Sequence, residues 1–257
     1  MDAMVISGLN TGGARPGGEL VRLSGVHKVY GRGLNAVHAL NDINMQVASG
    51  EMVAICGPSG HGKTSVLNLI GMLETATEGS VVVANLLVSK LSEQARADLR
   101  SELIGYVFQS FSLIPVLTAL ENVMLPLMLR GRVAAPAQAE ARGYGAELLA
   151  RLGLKTQTHR YPARLDASQC QRIAIARALL TQPRLVVADE ATSRLDNGSV
   201  RLVMDLFASL QRDHGTTFVV STRDQRQLSR ATRTLQLNEG RLSSTPSDTR
   251  RTLRVQG

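Results

Sequence analysis

Residues 57–64 read GPSGHGKT, directly after the apolar run MVAIC (52–56) and directly before SVLNLIGML (65–73). A short unbroken apolar run is the pattern of a strand buried on both faces. The apolar spacing after Thr64 is that of a helix. Strand, glycine loop and helix together give the pattern G-x-x-x-x-G-K-[ST] the context in which it binds phosphate. Glycine lets the backbone wrap an anion without Cβ interference. Loop N–H groups and the positive end of the following helix then attract the charge. Gly57, Pro58, Ser59, Gly60, His61, Gly62, Lys63, Thr64 and Ser65 are therefore the candidate phosphate-binding residues. Lys63 is placed to reach the β- and γ-phosphates, and Thr64 to ligate Mg²⁺ through its hydroxyl. His61 holds a variable position of the pattern and reads as an exposed bystander.

Outward from the loop, strands and helices alternate. LVRLSGVHKVY (20–30) alternates apolar and polar residues, and VHALNDINMQVASGE (37–51) gives a second strand and a turn. GSVVVANLLV (79–88) returns to strand. From about residue 92 to 164 the chain turns Ala/Leu/Arg-rich and helical, as in SEQARADLRSELIG (92–105) and AQAEARGYGAELLARLGL (137–154). From Leu165 come a helix, the strand RLVVADE (184–190), the helix SVRLVMDLFASLQRDHG (199–215) and the strand TTFVVST (216–222). The helix DQRQLSRAT (224–232) and the strand RTLQLNEGRLS (233–243) follow. This alternation predicts an α/β fold with a parallel sheet covered on both faces and a helical lobe inserted at about 92–164.

Composition bounds the reading. A chain of 257 residues with 44% hydrophobic content suits one large domain, or one domain with an inserted lobe. No apolar run approaches the roughly eighteen residues of a spanning helix. MDAMVISGLNTGGARPGG (1–18) lacks the charged start and apolar stretch of a secretory signal and reads as a loose tail, so a cytosolic protein is expected. Cys56 and Cys170 are far apart and read as free thiols. The net charge of +8 admits nucleic acid, an anionic membrane or a nucleotide as partner. With no Trp and 3% aromatics, base-stacking platforms and hence nucleic acid are not expected. The basic end at 243–257 reads as a solvated tail, with lipid headgroup contact as the alternative.

The strand LVVADE (185–190) ends in two carboxylates. Asp189 is a candidate for Mg²⁺ and Glu190 for polarising an attacking water. Phosphoryl transfer depends mostly on positioning and charge stabilisation, so this pair with Lys63 supplies much of what hydrolysis needs.

Over residues 20–242 the chain resembles the nucleotide-binding subunit of an ABC transporter. Its elements occur in family order. Tyr30 corresponds to the adenine-stacking aromatic, 57–64 to Walker A, and Gln109 in VFQSF (107–111) to the Q-loop. Residues 165–169 match the signature, 185–190 Walker B, SRLD (193–196) the D-loop and 221–224 the switch region. SFSLIPVLTALENVMLPLML (110–129) is similar to the lipoprotein-releasing, macrolide-export and cell-division branch, in which the ATPase is often a separate subunit.

The resemblance implies a P-loop NTPase (RecA-like) core with an N-terminal antiparallel β subdomain and an inserted α-helical lobe. The domain would run over 19–242, between tails at 1–18 and 243–257. It implies ATP and Mg²⁺ as cofactors, with Lys63, Gln109, Glu190 and Arg223 catalytic and Thr64, Gln109 and Asp189 around the metal. It implies a head-to-tail homodimer, or a heterodimer, in which Asp166, Ser168 and Gln169 of one chain face the ATP of the other. A groove near Gln109 would receive a coupling helix of an integral membrane permease, placing the chain on the cytoplasmic face of the inner membrane. The alternative is a nucleotide-binding subunit that hydrolyses weakly or not at all and gates or stabilises a membrane complex.

Two positions depart from the family. The signature LSGGQ is here Leu165, Asp166, Ala167, Ser168, Gln169. A carboxylate about 4 Å from a phosphate charge costs roughly 4 kcal/mol at an effective dielectric near 20. That matches the loss of a transition-state donor, about 3–4 kcal/mol. Asp166 is thus expected to turn away or weaken the closed dimer, while still serving as a helix cap. Arg223 stands where the family has histidine, keeping a positive donor that exchanges no proton near neutral pH. A pairing of Arg223 with Asp166 across the dimer is a further expectation.

Overall fold

A six-stranded sheet carries the phosphate loop at the end of one of its central strands. The computed structural model describes residues 18–130, 135–223 and 228–244. The sheet order is β10 (Arg241–Ser244), β9 (Arg233–Asn238), β3 (Met52–Cys56), β8 (Thr217–Ser221), β7 (Leu185–Asp189), β6 (Ile104–Val107). All neighbours are parallel except β9 and β10. Parallel pairing requires crossovers, so both faces are covered and the central strands β3, β7 and β8 are buried throughout.

Successive residues divide between two cores, as the two-residue period of a strand dictates. Met52, Ala54, Val186, Ala188, Phe218 and Val220 face one side. There they pack with α5 (Ala167–Leu179), α6 (Asn197–His214), α3 (Ala119–Leu129) and α4 (Ala135–Arg151). Val53, Ile55, Leu185, Val187 and Val219 face the other side, against α1 (Lys63–Ile70) and a second sheet. That second sheet is antiparallel, in the order β2 (Val37–Ala48), β1 (Glu19–Tyr30), β4 (Glu78–Val83), β5 (Leu86–Leu87). The α/β core, the antiparallel subdomain and the helical lobe are thus all present.

Three details differ from the sequence reading. The block at 92–164 is not purely helical. After α2 (Glu93–Leu103), Ile104–Val107 form the edge strand β6, and α2 buries none of its residues. Four residues beginning Ile-Gly carry too little pattern to register as a strand. Gly105 is needed there because a Cβ would meet the Ala178 carbonyl oxygen at 2.1 Å. Residues 79–88 and 233–243 are hairpins rather than single strands. They turn at Ala84–Asn85 and Glu239–Gly240, all four at positive φ. The apolar stretch from Phe111 to Leu129 is divided in use: Ala119, Leu120, Val123 and Met124 are buried, while Val116, Met128 and Leu129 are exposed.

Cys56 and Cys170 are free and buried. Among the described residues no helix is long and apolar enough to cross a membrane. The tail expected at 1–18 lies outside the described residues except for Gly18. The basic tail beyond Ser244 and residues 224–227, which open the expected helix and end the switch region, also lie outside them.

Candidate nucleotide site

The loop from β3 to α1 needs glycine for close approach. Gly57 has φ +152°, and a Cβ there would sit 2.1 Å from the Leu237 carbonyl oxygen. Gly62 caps α1 at φ +97°, and its Cβ would sit 2.5 Å from the Ala39 carbonyl oxygen. Ser59 and Gly60 form the exposed crest. Lys63 is buried, and its Nζ donates to the Gly57 and Pro58 carbonyls, both at 2.8 Å. No side chain caps α1. The other helices whose starts are described, α2, α3, α5 and α6, are capped by Ser92, Thr118, Asp166 and Asp196. A glycine-led, uncapped helix start beside a buried ammonium is the donor set that a phosphate chain takes.

His61 is not an exposed bystander. It is half-buried, and its Nδ1 accepts the Glu239 N–H at 2.9 Å while its carbonyl accepts the Gly240 N–H at 3.3 Å. It ties the loop to the turn between β9 and β10. The glycine-rich pattern allows any residue at 61, which is why the sequence carried no sign of this.

The carboxylates come from the end of β7. Asp189 is buried; its Oδ2 accepts from the Thr64 hydroxyl at 2.7 Å, and its Oδ1 accepts from the Ser221 hydroxyl. A hydroxyl and a carboxylate held together are hard oxygen donors of the kind Mg²⁺ uses alongside substrate phosphates, so the residues fit that ion. No cluster of three His, Cys, Asp or Glu suited to a metal occurs among the described residues. Glu190 follows at φ +44°, a left-handed conformation costing of order 1–3 kcal/mol. Its N–H donates to Ser221, to Oγ at 2.9 Å and to the carbonyl at 3.2 Å. Its Oε2 accepts from Gln109 Nε2 at 3.4 Å and pairs with Arg223 Nη2 at 3.4 Å.

Tyr30 ends β1 with its hydroxyl donating to Glu74 Oε2 at 2.8 Å and lying 3.2 Å from Ser65 Oγ. Lys28 Nζ sits 4.9 Å from the centre of its ring and 2.8 Å from Glu74 Oε2. Burial alone would raise the Glu74 carboxyl. Hydrogen bonds from Lys28, Tyr30 and Asn68, with the Lys28 charge, outweigh it and hold the group below the ordinary glutamate value. Burial, reinforced by Glu74, pushes the Tyr30 phenol up.

Asp166, Ser168 and Gln169 do not join this cluster. Asp166 is exposed and caps α5 in a reciprocal box: Gln169 N–H donates to its Oδ1 at 2.8 Å, and its own N–H donates to Gln169 Oε1 at 3.1 Å. The expected cap is present. Within one chain, Arg223 pairs with Glu190, not with Asp166. Ser168 Oγ is buried and has no hydrogen-bond partner among the described residues. The role of Ser221, which joins Asp189 to the Glu190 backbone, was missed by sequence reasoning; its position at the end of a strand beside LVVADE was the available signal.

The ABC transporter family pattern matches residues 40–193. The chain belongs to the ABC transporter family. It is 45% identical over 223 residues to the lipoprotein-releasing system ATP-binding protein LolD of Anaeromyxobacter dehalogenans, covering 86% of this chain and 92% of that one. It is 39% identical over 217 residues to LolD of Legionella pneumophila, covering 84% and 94%. Among solved structures it is similar to an ATP-binding cassette in a dimeric post-hydrolysis state bound to ADP and Pi. The TM-score is 0.81 at 36% identity, covering 88% of this chain and 98% of that one. A dimeric bacterial ABC transporter cassette gives the same TM-score and coverage. This chain is therefore an ABC ATP-binding cassette, and it belongs to the branch its sequence resembled.

Proposed function

We propose that this cassette hydrolyses MgATP as one of two copies that drive a lipoprotein-releasing permease, the process in the name of its relatives. The observation carrying this reading is the 2.7 Å contact of Thr64 Oγ1 with Asp189 Oδ2, which joins the phosphate loop to the carboxylate end of β7. Lys63 turns from the loop carbonyls to the β- and γ-phosphates. Thr64 and Asp189 hold Mg²⁺, which when bound offsets phosphate charge. Glu190 accepts the proton of the attacking water, Gln109 orients that water, and Arg223 donates to the terminal phosphate. Tyr30, anchored at its hydroxyl, offers a ring to the adenine.

Asp166, Ser168 and Gln169 face the nucleotide of a second copy in a head-to-tail dimer. A groove of about 990 Å³ beside Gln109, lined by Phe108, Leu125, Pro126, Leu129, Arg130 and Arg177, takes a helix of the membrane subunit. That contact holds the chain against the cytoplasmic face of the inner membrane. A second reading is a slowly hydrolysing or non-hydrolysing subunit that gates its complex. The exposed Asp166 carboxylate and the Arg223 pairing with Glu190 favour it.

Analytical ultracentrifugation of Glu190→Gln with MgATP tests the dimer. A nucleotide-dependent dimer is expected, and a monomer at saturating MgATP contradicts it.

A further inference from the structure

Gln109 sits in a segment with no regular structure, between the end of β6 at Val107 and the start of α3 at Ala119. Side chains of α5 hold that segment at three backbone carbonyls. Gln171 Nε2 donates to the Phe108 carbonyl at 3.4 Å. Arg177 donates from Nη2 to the Phe111 carbonyl and from Nη1 to the Ser112 carbonyl, both at 2.9 Å. Gln171 is 1% exposed, and its Oε1 has no hydrogen-bond partner among the described residues. Ser112 stands at φ +42°, which turns its carbonyl within reach of the same guanidinium as Phe111. A planar guanidinium bridges two acceptors in a fixed geometry, which an ammonium does not.

Both anchors lie on the helix capped by Asp166, and the carbonyls they hold, at Phe108 and at Phe111 and Ser112, bracket Gln109 in sequence. We propose that Gln171 and Arg177 are positioning residues for Gln109, fixing its amide against Glu190 and making it travel with α5. The proposal rests on the functional reading that Gln109 assists Glu190. The start of α5 faces the nucleotide of the second copy on that reading, so one rigid helix links the partner's nucleotide to the chain's own Gln109. Arg177 also lines the groove assigned to the membrane subunit, so docking there reaches Gln109 through one side chain.

The test compares Arg177→Lys and Gln171→Met with the full chain. In ATPase assays kcat is expected to fall about 10- to 100-fold, the scale of a misplaced catalytic group, while KM for ATP stays within about twofold of its original value. Adding Gln109→Ala to Arg177→Lys should give almost no further loss, since both remove one function. Amide exchange at 108–112 should accelerate, with residues 57–65 unchanged. Unchanged kcat, losses that multiply in the double variant, or unchanged exchange at 108–112 overturn the proposal. Should wild-type turnover prove indifferent to Glu190→Gln, the functional reading fails. Exchange at 108–112 then decides the positioning link by itself: faster in either variant sustains it, unchanged in both rejects it.

Discussion

Arg223 Nη2 lies 3.4 Å from Glu190 Oε2, the oxygen that Gln109 Nε2 meets at 3.4 Å. The carboxylate is nearly buried and the guanidinium largely exposed. At this distance and exposure the pair adds little to stability. On the proposed reading its consequence is chemical: a guanidinium offers no basic site, so accepting the proton of water falls to Glu190.

Arg223→Ala should therefore separate stability from turnover. An exposed ion pair is worth about 0–1 kcal/mol, so the melting temperature should move by only about 2–4 °C at most. Loss of a transition-state donor costs roughly 10²–10³ in rate, and kcat should fall on that scale. Parallel calorimetry and ATPase assays check both.

Asp166 caps α5, and on the proposed reading it also carries a charge toward the dimer face. Asp166→Ser keeps a good cap and removes the charge. Asp166→Ala removes both, at about 1 kcal/mol of stability. Both substitutions should strengthen MgATP-driven dimerisation, and only Asp166→Ala should lower the melting temperature. Dimerisation unmoved in both would mean that Asp166 turns away from the nucleotide.

His61→Ala removes the acceptor for the Glu239 N–H. A lost hydrogen bond of about 1 kcal/mol at the edge of the phosphate loop should weaken ATP binding roughly three- to tenfold. Titration with a fluorescent ATP analogue measures it, and unchanged affinity would return His61 to the role of bystander.

The difference between what was legible and what was not follows from range. GPSGHGKT announced its fold because glycine spacing and flanking periodicity are local, and LVVADE did so because apolar strand and carboxylates are contiguous. The tie of His61 to Glu239 spans 178 residues and that of Gln171 to Phe108 spans 63, and neither leaves a local pattern. β6 was hidden for a related reason: its pairing with β7, not its own four residues, makes it a strand. The cap by Asp166 was legible because Asp is a good N-cap residue; its reciprocal box with Gln169 is a finding of the structure.

Glu74 gives a pH signature. Its folded pKa lies below the ordinary 4.5. A carboxyl lowered in this way stabilises the fold above its unfolded pKa, and that stability is lost as pH falls through the folded value. Glu74→Gln should thus be less stable than wild type at pH 7. The gap should close as pH drops below about 4.5, as read by denaturant unfolding at a series of pH values.

The most direct test is ATP turnover of the purified chain, with and without Mg²⁺, beside Glu190→Gln. The account predicts Mg²⁺-dependent hydrolysis that falls at least about 100-fold in Glu190→Gln while ATP still binds. Equal turnover in the two proteins, or no turnover by a wild-type chain that binds ATP, would contradict it.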